Sequence, residues 1–189
     1  GTLAAPHGEM INQYRQILNK LTGQYTQLSA WAFGKTNDEG FDEYVIDHDE
    51  YLGVGSGSFS FLNNTLYVNT FSLKKYQERI AQGRMAVEQQ KFYHKKEVMQ
   101  YRFLLGMFSG RLSRKYFRDE FGVNLDTALF KEMSSMKAIG AIKNDPEHPD
   151  RLIVTDNGKM MGLLMMKEFY SGMDNVRAQL RKPLTDLDM

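Results

Sequence analysis

The chain has 189 residues, of which 42% are hydrophobic and 25% are charged, a composition typical of a folded protein. Its 24 basic and 23 acidic residues leave a net charge of +1, so the chain as a whole has no general attraction to nucleic acid or to an anionic membrane. It contains no cysteine, which excludes disulfides, thiolate zinc sites and cysteine-ligated iron–sulfur clusters within it.

The first ten residues, GTLAAPHGEM, lack the basic segment and apolar core of a signal peptide. No apolar run in the chain approaches the roughly 18–20 residues that span a bilayer. We therefore expect no membrane association, and the absence of cysteine and of a targeting signal favours the cytoplasm. Because the chain does not begin with methionine, we expect either a fragment of a longer protein or a tag remnant at Gly1, and we favour the fragment.

The first predicted element is a helix over 9–22, followed by Gly23 as a C-cap. Its apolar residues recur at helical spacing: Met10, Tyr14, Ile17, Leu18 and Leu21. The aromatic-rich stretch 24–34 predicts one strand, and two short extended segments should flank the acidic run 47–50.

The clearest local pattern is a β-hairpin inside YLGVGSGSFSFLNNTLYVN, residues 51–69. Asn63 and Asn64 suit a two-residue turn with positive φ at both positions. The resulting register places two pairs of apolar residues opposite each other: Phe61 with Leu66, and Phe59 with Val68. All four lie on one face, so we expect that face of the hairpin to be buried.

Ser72 is the predicted N-cap of a helix over 73–82, which ends at Gly83. Three apolar residues share one face of this helix: Leu73, Tyr76 and Ile80. Residues 84–94 are polar and irregular, which predicts a connector between two folded parts.

The C-terminal half is predicted to be mainly helical. Its elements are a helix over 95–108, a helix over 114–121 capped by Ser113 and stopped by Gly122, a helix from Asp126 to Ile139, two short strands within 141–155, and a last helix capped by Thr155. This order is typical of a winged-helix-like domain, and the polar tail after about Gly172 should be frayed.

A winged helix raises the possibility of DNA binding, which needs cations beside the reading helix and the wing. The helix from Asp126 has balanced charges, and the wing over 143–151 is net acidic. The one basic cluster lies on the preceding helix and comprises Arg111, Arg114, Lys115 and Arg118. The charge distribution therefore argues against nucleic acid as a partner.

The four histidines lie too far apart in the sequence to suggest a metal site: His7, His48, His94 and His148. His48 lies among acidic residues, where a solvated turn is favoured over a proton relay. The methionines of the last helix occur at helical spacing, which favours a packed core over a binding surface.

The glycine-rich stretch GVGSGSFS allows two interpretations. It is neither a Walker loop nor a complete G-x-G-x-x-G motif before a helix. Its glycines would let a flat ligand approach the backbone, with free N–H groups as donors, but the spacing alone favours a bulged connection.

The order of DEYLGVGSGSFSFL, LYVN and SLKKYQERI resembles the radical S-adenosylmethionine enzymes related to oxygen-independent coproporphyrinogen III oxidase. The helical part, which ends in RLIVTDNGKMMGLLMMKEFY, follows the same order, so the resemblance covers nearly the whole chain. Within the family the chain looks most like the branch that opens haem anaerobically, the anaerobilin synthases. Residues 42–50 depart from the family pattern, and the resemblance assigns them no role.

The resemblance implies a parent enzyme that binds S-adenosylmethionine and a [4Fe–4S] cluster held by three cysteines. This cysteine-free chain would be the C-terminal portion, catalytically inactive alone and without cofactor of its own. Phe59 matches the family residue that touches a second S-adenosylmethionine through its main chain. The residues that would shape this approach are Gly53, Gly55, Gly57 and Ser58.

The sequence and the resemblance together predict an α+β fold. Residues 1–71 would be the terminal β elements of a partial TIM-type barrel, 72–94 a connecting helix and linker, and 95–189 a winged-helix-like accessory domain. The implied partners are a tetrapyrrole, haem or coproporphyrinogen III, and the missing N-terminal barrel of the same chain. The alternative is a non-enzymatic winged-helix module that binds DNA or a protein.

Overall fold

A computed structural model of the chain describes residues 7–35, 48–110 and 112–167. The chain divides into two compact units. The helical unit comprises Gly1–Asp49 and His94–Leu164, and the hairpin unit comprises Glu50–Tyr93 and Met165–Met189. The predicted division into barrel remnant, linker and accessory domain stays a prediction. None of the helices in the described ranges is both long and apolar enough to cross a membrane.

The fold is a mixture of helices and small antiparallel sheets, as the sequence predicts. In chain order the elements are α1 (His7–Leu21), β1 (Thr26–Gln27), β2 (Phe33–Gly34), β3 (Phe59–Leu62), β4 (Thr65–Asn69), α2 (Leu73–Ala81), β5 (Val87–Phe92), α3 (Lys95–Ser109), β6 (Leu112–Ser113), α4 (Arg114–Phe121), α5 (Leu125–Ala128), α6 (Phe130–Ala138), β7 (Ile142–Asn144), β8 (Arg151–Val154) and α7 (156–167).

The N-terminal part of the helical unit differs from the prediction in one element. Helix α1 is confirmed, but the single strand predicted over 24–34 is wrong, because the chain reverses between β1 and β2. The Ser29 hydroxyl accepts hydrogen bonds from the N–H groups of Trp31 and Ala32, which closes this turn. A serine that bonds to its own local backbone competes with an extended strand.

The core of the helical unit joins α3–α6 to a three-stranded sheet of order β6-β8-β7. Its buried residues are Met99, Phe103, Met107, Leu112, Phe117, Leu125, Leu129, Met133, Ala141, Ile142, Leu152 and Val154. Each fully buried side chain of this size contributes about 1.5–3 kcal/mol relative to an exposed one. The methionines of α7 are partly buried or exposed rather than fully buried. The core therefore lies mainly between the earlier helices and the sheet.

Most predicted helix ends of this unit are confirmed. The Ser113 hydroxyl accepts the Tyr116 N–H at the start of α4, and Gly122 ends the helix with a φ of 66°. Thr155 accepts the N–H of Gly158 at the start of α7.

The continuous helix predicted from Asp126 to Ile139 is wrong. Asn124 is the N-cap, and the helix breaks at Leu129, whose φ and ψ are −116° and 45°. Leu129 is fully buried at this break, so packing overrides the helical periodicity of the sequence.

The hairpin unit contains a sheet of order β3-β4-β5. Asn63 and Asn64 have φ of 48° and 59°, and the predicted pairs of Phe61 with Leu66 and Phe59 with Val68 are both present. The expectation of one buried face is wrong, because only Phe61 of those four is buried.

One further expectation for this unit is wrong. Residues 84–94 are not an irregular connector, because Val87–Phe92 form strand β5 against β4. This edge strand is exposed along most of its length, so it lacks the apolar alternation of a half-buried strand.

Helix α2 has Ser72 as its N-cap, as predicted. Leu73 and Ile80 on its apolar face are 62% and 50% exposed.

Candidate functional site

The glycine segment, residues 51–58, runs beside β3 on the side away from β4. Tyr51 and Phe61 exchange two main-chain hydrogen bonds, of 3.0 and 2.9 Å, which form an isolated antiparallel bridge at the start of the segment. The Tyr51 ring stacks on the Phe61 ring, with centroids 6.5 Å apart. This bridge fixes the segment against the one deeply buried aromatic residue of the hairpin.

Gly53 is required by a close approach of two backbones. A Cβ atom on Gly53 would overlap the carbonyl oxygen of Phe59 and would lie 2.9 Å from the carbonyl carbon. The φ of Gly53 is not positive, so this requirement is steric and not conformational. The absence of a side chain at residue 53 lets the Gly53 backbone lie directly against the Phe59 main chain.

Gly57 and Gly55 are required for different reasons. Gly57 combines a φ of 71° with a position where a Cβ would lie 2.6 Å from the Phe71 ring. Gly55 has a φ of 108° and open space around it, so conformation alone favours glycine there.

The N–H groups of the three glycines are not free donors, contrary to the expectation for a ligand cradle. The Gly53 N–H donates to the Ser60 hydroxyl at 3.0 Å, and the Gly55 N–H donates to the Tyr76 hydroxyl at 3.2 Å. The Gly57 N–H donates to the Thr70 carbonyl at 2.9 Å. The segment therefore does not offer the convergent free amides of a phosphate-binding loop.

The Phe59 main chain faces the side of β3 that lies away from β4, where the glycine segment runs. Asn69 donates its N–H to the Ser58 carbonyl at 3.0 Å, so Ser58 and Asn69 form a hydrogen-bonded pair of the ladder. Because such pairs alternate along antiparallel strands, the neighbouring pair of Phe59 and Val68 is not hydrogen-bonded. The Phe59 N–H and carbonyl have no hydrogen-bond partner in the part of the chain that the structure describes.

The glycine segment also carries exposed apolar side chains. Leu52 is 65% exposed and Val54 is 83% exposed, and the two alternate with Gly53 and Gly55 in the sequence. The half-buried Phe59 ring packs edge-on against Phe71, with centroids 6.5 Å apart. The segment therefore combines exposed aliphatic groups with the Phe59 main chain beside it.

The basic cluster of the helical unit is neutralised by acidic partners. Three of its members are described: Arg114 pairs with Asp126 at 2.6 Å, Lys115 with Asp119, and Arg118 with Asp150 at 2.7 Å. Arg111 lies outside the described residues. Hydrogen bonds from Arg114, together with the charges of Arg114 and Lys137, lower the pKa of Asp126 to about 2. These side chains bind each other, and the prediction against nucleic acid stays a prediction.

Arg102 on α3 is a buried arginine that no sequence pattern predicted. The Arg102 side chain is 5% exposed, donates to the main-chain carbonyls of His48 and Asp49, and lies 3.3 Å from the Asp49 carboxylate. The Tyr116 hydroxyl donates to the same carboxylate at 2.6 Å, and burial with this bond raises the Tyr116 pKa. Arg102 is 53 residues from Asp49, so no local pattern could indicate the contact.

Three of the four histidines have described side chains. His48 and His148 are exposed, and His94 precedes α3, where its N–H donates to Glu97. Within the described ranges, no group of three or more His, Asp or Glu side chains could hold a metal ion.

Neither a protein-family model nor a curated protein sequence matches the chain. The chain is similar to a solved structure described as "Coproporphyrinogen III oxidase (HemN) from Escherichia coli is a Radical SAM enzyme", with a TM-score of 0.60 and 14% sequence identity. The similarity covers 85% of this chain and 40% of that chain, so this chain spans less than half of that protein. At 14% sequence identity, the similarity shows the fold alone.

Proposed function

We propose that this chain is the C-terminal portion of a radical S-adenosylmethionine enzyme that acts on a tetrapyrrole, and that the glycine segment with Phe59 forms one wall of its S-adenosylmethionine site. The observation that carries the proposal is the main chain of Phe59, which has no hydrogen-bond partner among the described residues and lies against Gly53, in a chain whose fold is similar to that of the Escherichia coli enzyme.

The residues of this chain do not fit a [4Fe–4S] cluster. Such clusters are held by cysteine thiolates, and the chain has no cysteine. The cluster would therefore be bound by the part of the enzyme that precedes this chain, and this portion is inactive alone.

The residues do fit S-adenosylmethionine. Its adenine and its amino-acid group carry donors and acceptors that suit a main-chain N–H and carbonyl, and a glycine lets them come close. When bound in the whole enzyme, S-adenosylmethionine supplies the radical chemistry. The role of this chain is to bind and orient it through Phe59, with Gly53, Gly55, Gly57 and Ser58 shaping the approach.

The exposed aliphatic groups support a barrel that continues beyond this chain. Leu52 and Val54 are exposed in the glycine segment beside β3, and a neighbouring strand of a partial TIM-type barrel would cover this edge. The missing N-terminal barrel is thus the partner that we propose for this edge.

The element order α3, β6, α4, α5–α6, β7, β8 supports a winged-helix-like accessory domain. We propose that this domain covers the tetrapyrrole. Two reactions remain within the proposal: anaerobic opening of haem with methyl transfer, and oxidative decarboxylation of coproporphyrinogen III. Both need a reducing environment, for which we propose the cytoplasm.

The test is made on the full-length protein that carries this chain. We expect a three-cysteine motif upstream of residue 1, reconstitution of a [4Fe–4S] cluster, and S-adenosylmethionine binding measured by equilibrium dialysis. Anaerobic incubation with a reductant and either haem or coproporphyrinogen III, followed by mass spectrometry, distinguishes the two reactions. A full-length protein without the cysteine motif, or without S-adenosylmethionine binding, would contradict the proposal.

The alternative of a DNA-binding winged helix is not favoured, because the described members of the basic cluster are each paired with an acid. A salt-dependent affinity for duplex DNA without S-adenosylmethionine binding would reverse this preference.

A further inference from the structure

We propose that Asn69 is a positioning residue for the S-adenosylmethionine site: it ties the two ends of the loop 55–58 to β4 and so fixes the main chain of Phe59. This inference rests on the proposed function for the ligand, whereas the tie itself is observed in the hairpin unit.

Asn69 makes three hydrogen bonds to the glycine segment. Its side-chain Nδ2 donates to the Gly55 carbonyl at 3.1 Å and to the Ser58 Oγ at 2.9 Å, and its main-chain N–H donates to the Ser58 carbonyl at 3.0 Å. One residue at the end of β4 thereby holds the first and the last residue of the loop.

The Gly55 carbonyl is the centre of this arrangement. It accepts from Asn69 and from the Ser58 hydroxyl at 2.8 Å, and more weakly from the Ser58 N–H at 3.4 Å. Gly55 and Gly57 both have positive φ, in a region that glycine leaves as easily as it enters. A loop of such residues keeps one conformation through the hydrogen bonds made to it, and the side chain of Asn69 supplies two of them.

The tie extends to Phe59 through a single peptide group. In a planar trans peptide, the carbonyl of one residue and the N–H of the next point in opposite directions. Because the Ser58 carbonyl is bonded to Asn69 on the β4 side, the Phe59 N–H points away from β4, towards the glycine segment. Fixing Ser58 therefore directs the group that we expect to meet the ligand.

The chemistry of this tie needs an amide at residue 69. Asn69→Asp keeps the shape but removes both Nδ2 donors and places a negative charge beside the Gly55 carbonyl. The main-chain bond to Ser58 survives this change, so the substitution isolates the side chain. Leu66→Ala is the control for a general loss of hairpin stability. It removes a half-buried side chain opposite Phe61 and leaves the loop 55–58 unchanged.

The experiment compares wild type, Asn69→Asp and Leu66→Ala in the full-length protein with its cluster reconstituted. Equilibrium dialysis with labelled S-adenosylmethionine measures the dissociation constant and the stoichiometry, and hydrogen–deuterium exchange measures the protection of residues 51–59. For Asn69→Asp we expect a dissociation constant raised by about tenfold or more, with faster exchange in 51–59. Leu66→Ala should leave the affinity within about twofold of wild type.

The outcomes separate the two proposals. If wild type binds S-adenosylmethionine and Asn69→Asp binds it equally well, Asn69 is not a positioning residue and the proposed function stands. If Leu66→Ala weakens binding as much as Asn69→Asp, hairpin stability explains the effect and the inference is overturned. If wild type does not bind S-adenosylmethionine, the proposed function fails, and the ligand role of Asn69 fails with it. Should Asn69→Asp not fold, Ser58→Ala removes the other side of the tie and must weaken binding in the same direction.

Discussion

Replacing Gly53 by alanine tests the close approach between the Gly53 backbone and the Phe59 main chain. The added methyl would overlap the Phe59 carbonyl oxygen and would come within 2.9 Å of the carbonyl carbon, a distance that real Cβ atoms essentially never show. The obstacle is backbone and cannot rotate away as a flexible side chain would. The glycine segment must therefore move away from β3.

Two costs add up in this displacement. Accommodating an extra methyl in a filled space costs about 1–3 kcal/mol. Moving the segment also weakens the bond from the Gly53 N–H to the Ser60 hydroxyl, worth about 0.5–1.5 kcal/mol. We therefore expect the local free energy of opening to fall by about 2–4 kcal/mol, which corresponds to exchange that is roughly 30-fold to 900-fold faster.

The assay is hydrogen–deuterium exchange of residues 51–62 in Gly53→Ala, with Gly8→Ala as the matched control. Gly8 lies in α1, and a Cβ there would meet nothing within 4 Å. Alanine at residue 8 should stabilise the helix by about 0.5–1 kcal/mol. If Gly53→Ala exchanges as slowly as wild type in 51–62, the steric argument is wrong.

Three further predictions concern stability. The pKa of Asp126, held at about 2 by hydrogen bonding to Arg114, lies below its ordinary value of 3.8, so its contribution is present above about pH 4 and is lost as the pH falls towards 2. For this partly exposed carboxylate the contribution to the free energy of unfolding is about 1–2 kcal/mol. Urea titrations at pH 7 and pH 3 measure how far that free energy falls with pH, and Asp126→Asn should make the fall smaller by this amount. A fall equal to that of wild type would contradict the prediction. Arg102→Met should cost about 3 kcal/mol, because the carbonyls and carboxylate that Arg102 binds lose their donor, and a melting temperature within 1 °C of wild type by circular dichroism would refute this. Asn64→Val should cost about 1–2 kcal/mol because its φ is 59°, whereas Asn64→Gly should be neutral or stabilising in the same urea titration.

The parts of the fold that follow from adjacent residues could be predicted from the sequence. Asn63 and Asn64 determine the turn, and the turn then determines the register that pairs Phe59 with Val68. The caps at Ser72 and Ser113 are equally local, since each hydroxyl accepts an N–H three residues later.

The remaining features depend on long-range contacts. Strand β5 has too little apolar alternation to be recognised, because it lies exposed at the edge of its sheet. The occupied N–H of Gly55 depends on Tyr76, 21 residues away, and the burial of Arg102 depends on Asp49. The spacing of the glycines alone therefore left both a ligand cradle and a bulged connection open. In the structure the N–H groups of Gly53, Gly55 and Gly57 are occupied, so a cradle of free glycine amides is excluded. The Phe59 main chain is left as the candidate contact for a ligand.

The most direct test of the account is a crystal structure of the full-length protein with S-adenosylmethionine bound. The account predicts that the Phe59 main-chain N–H or carbonyl lies at hydrogen-bond distance, about 2.7–3.2 Å, from a donor or acceptor of the bound S-adenosylmethionine. It would be contradicted if S-adenosylmethionine were bound elsewhere while the Phe59 main chain paired with a neighbouring strand.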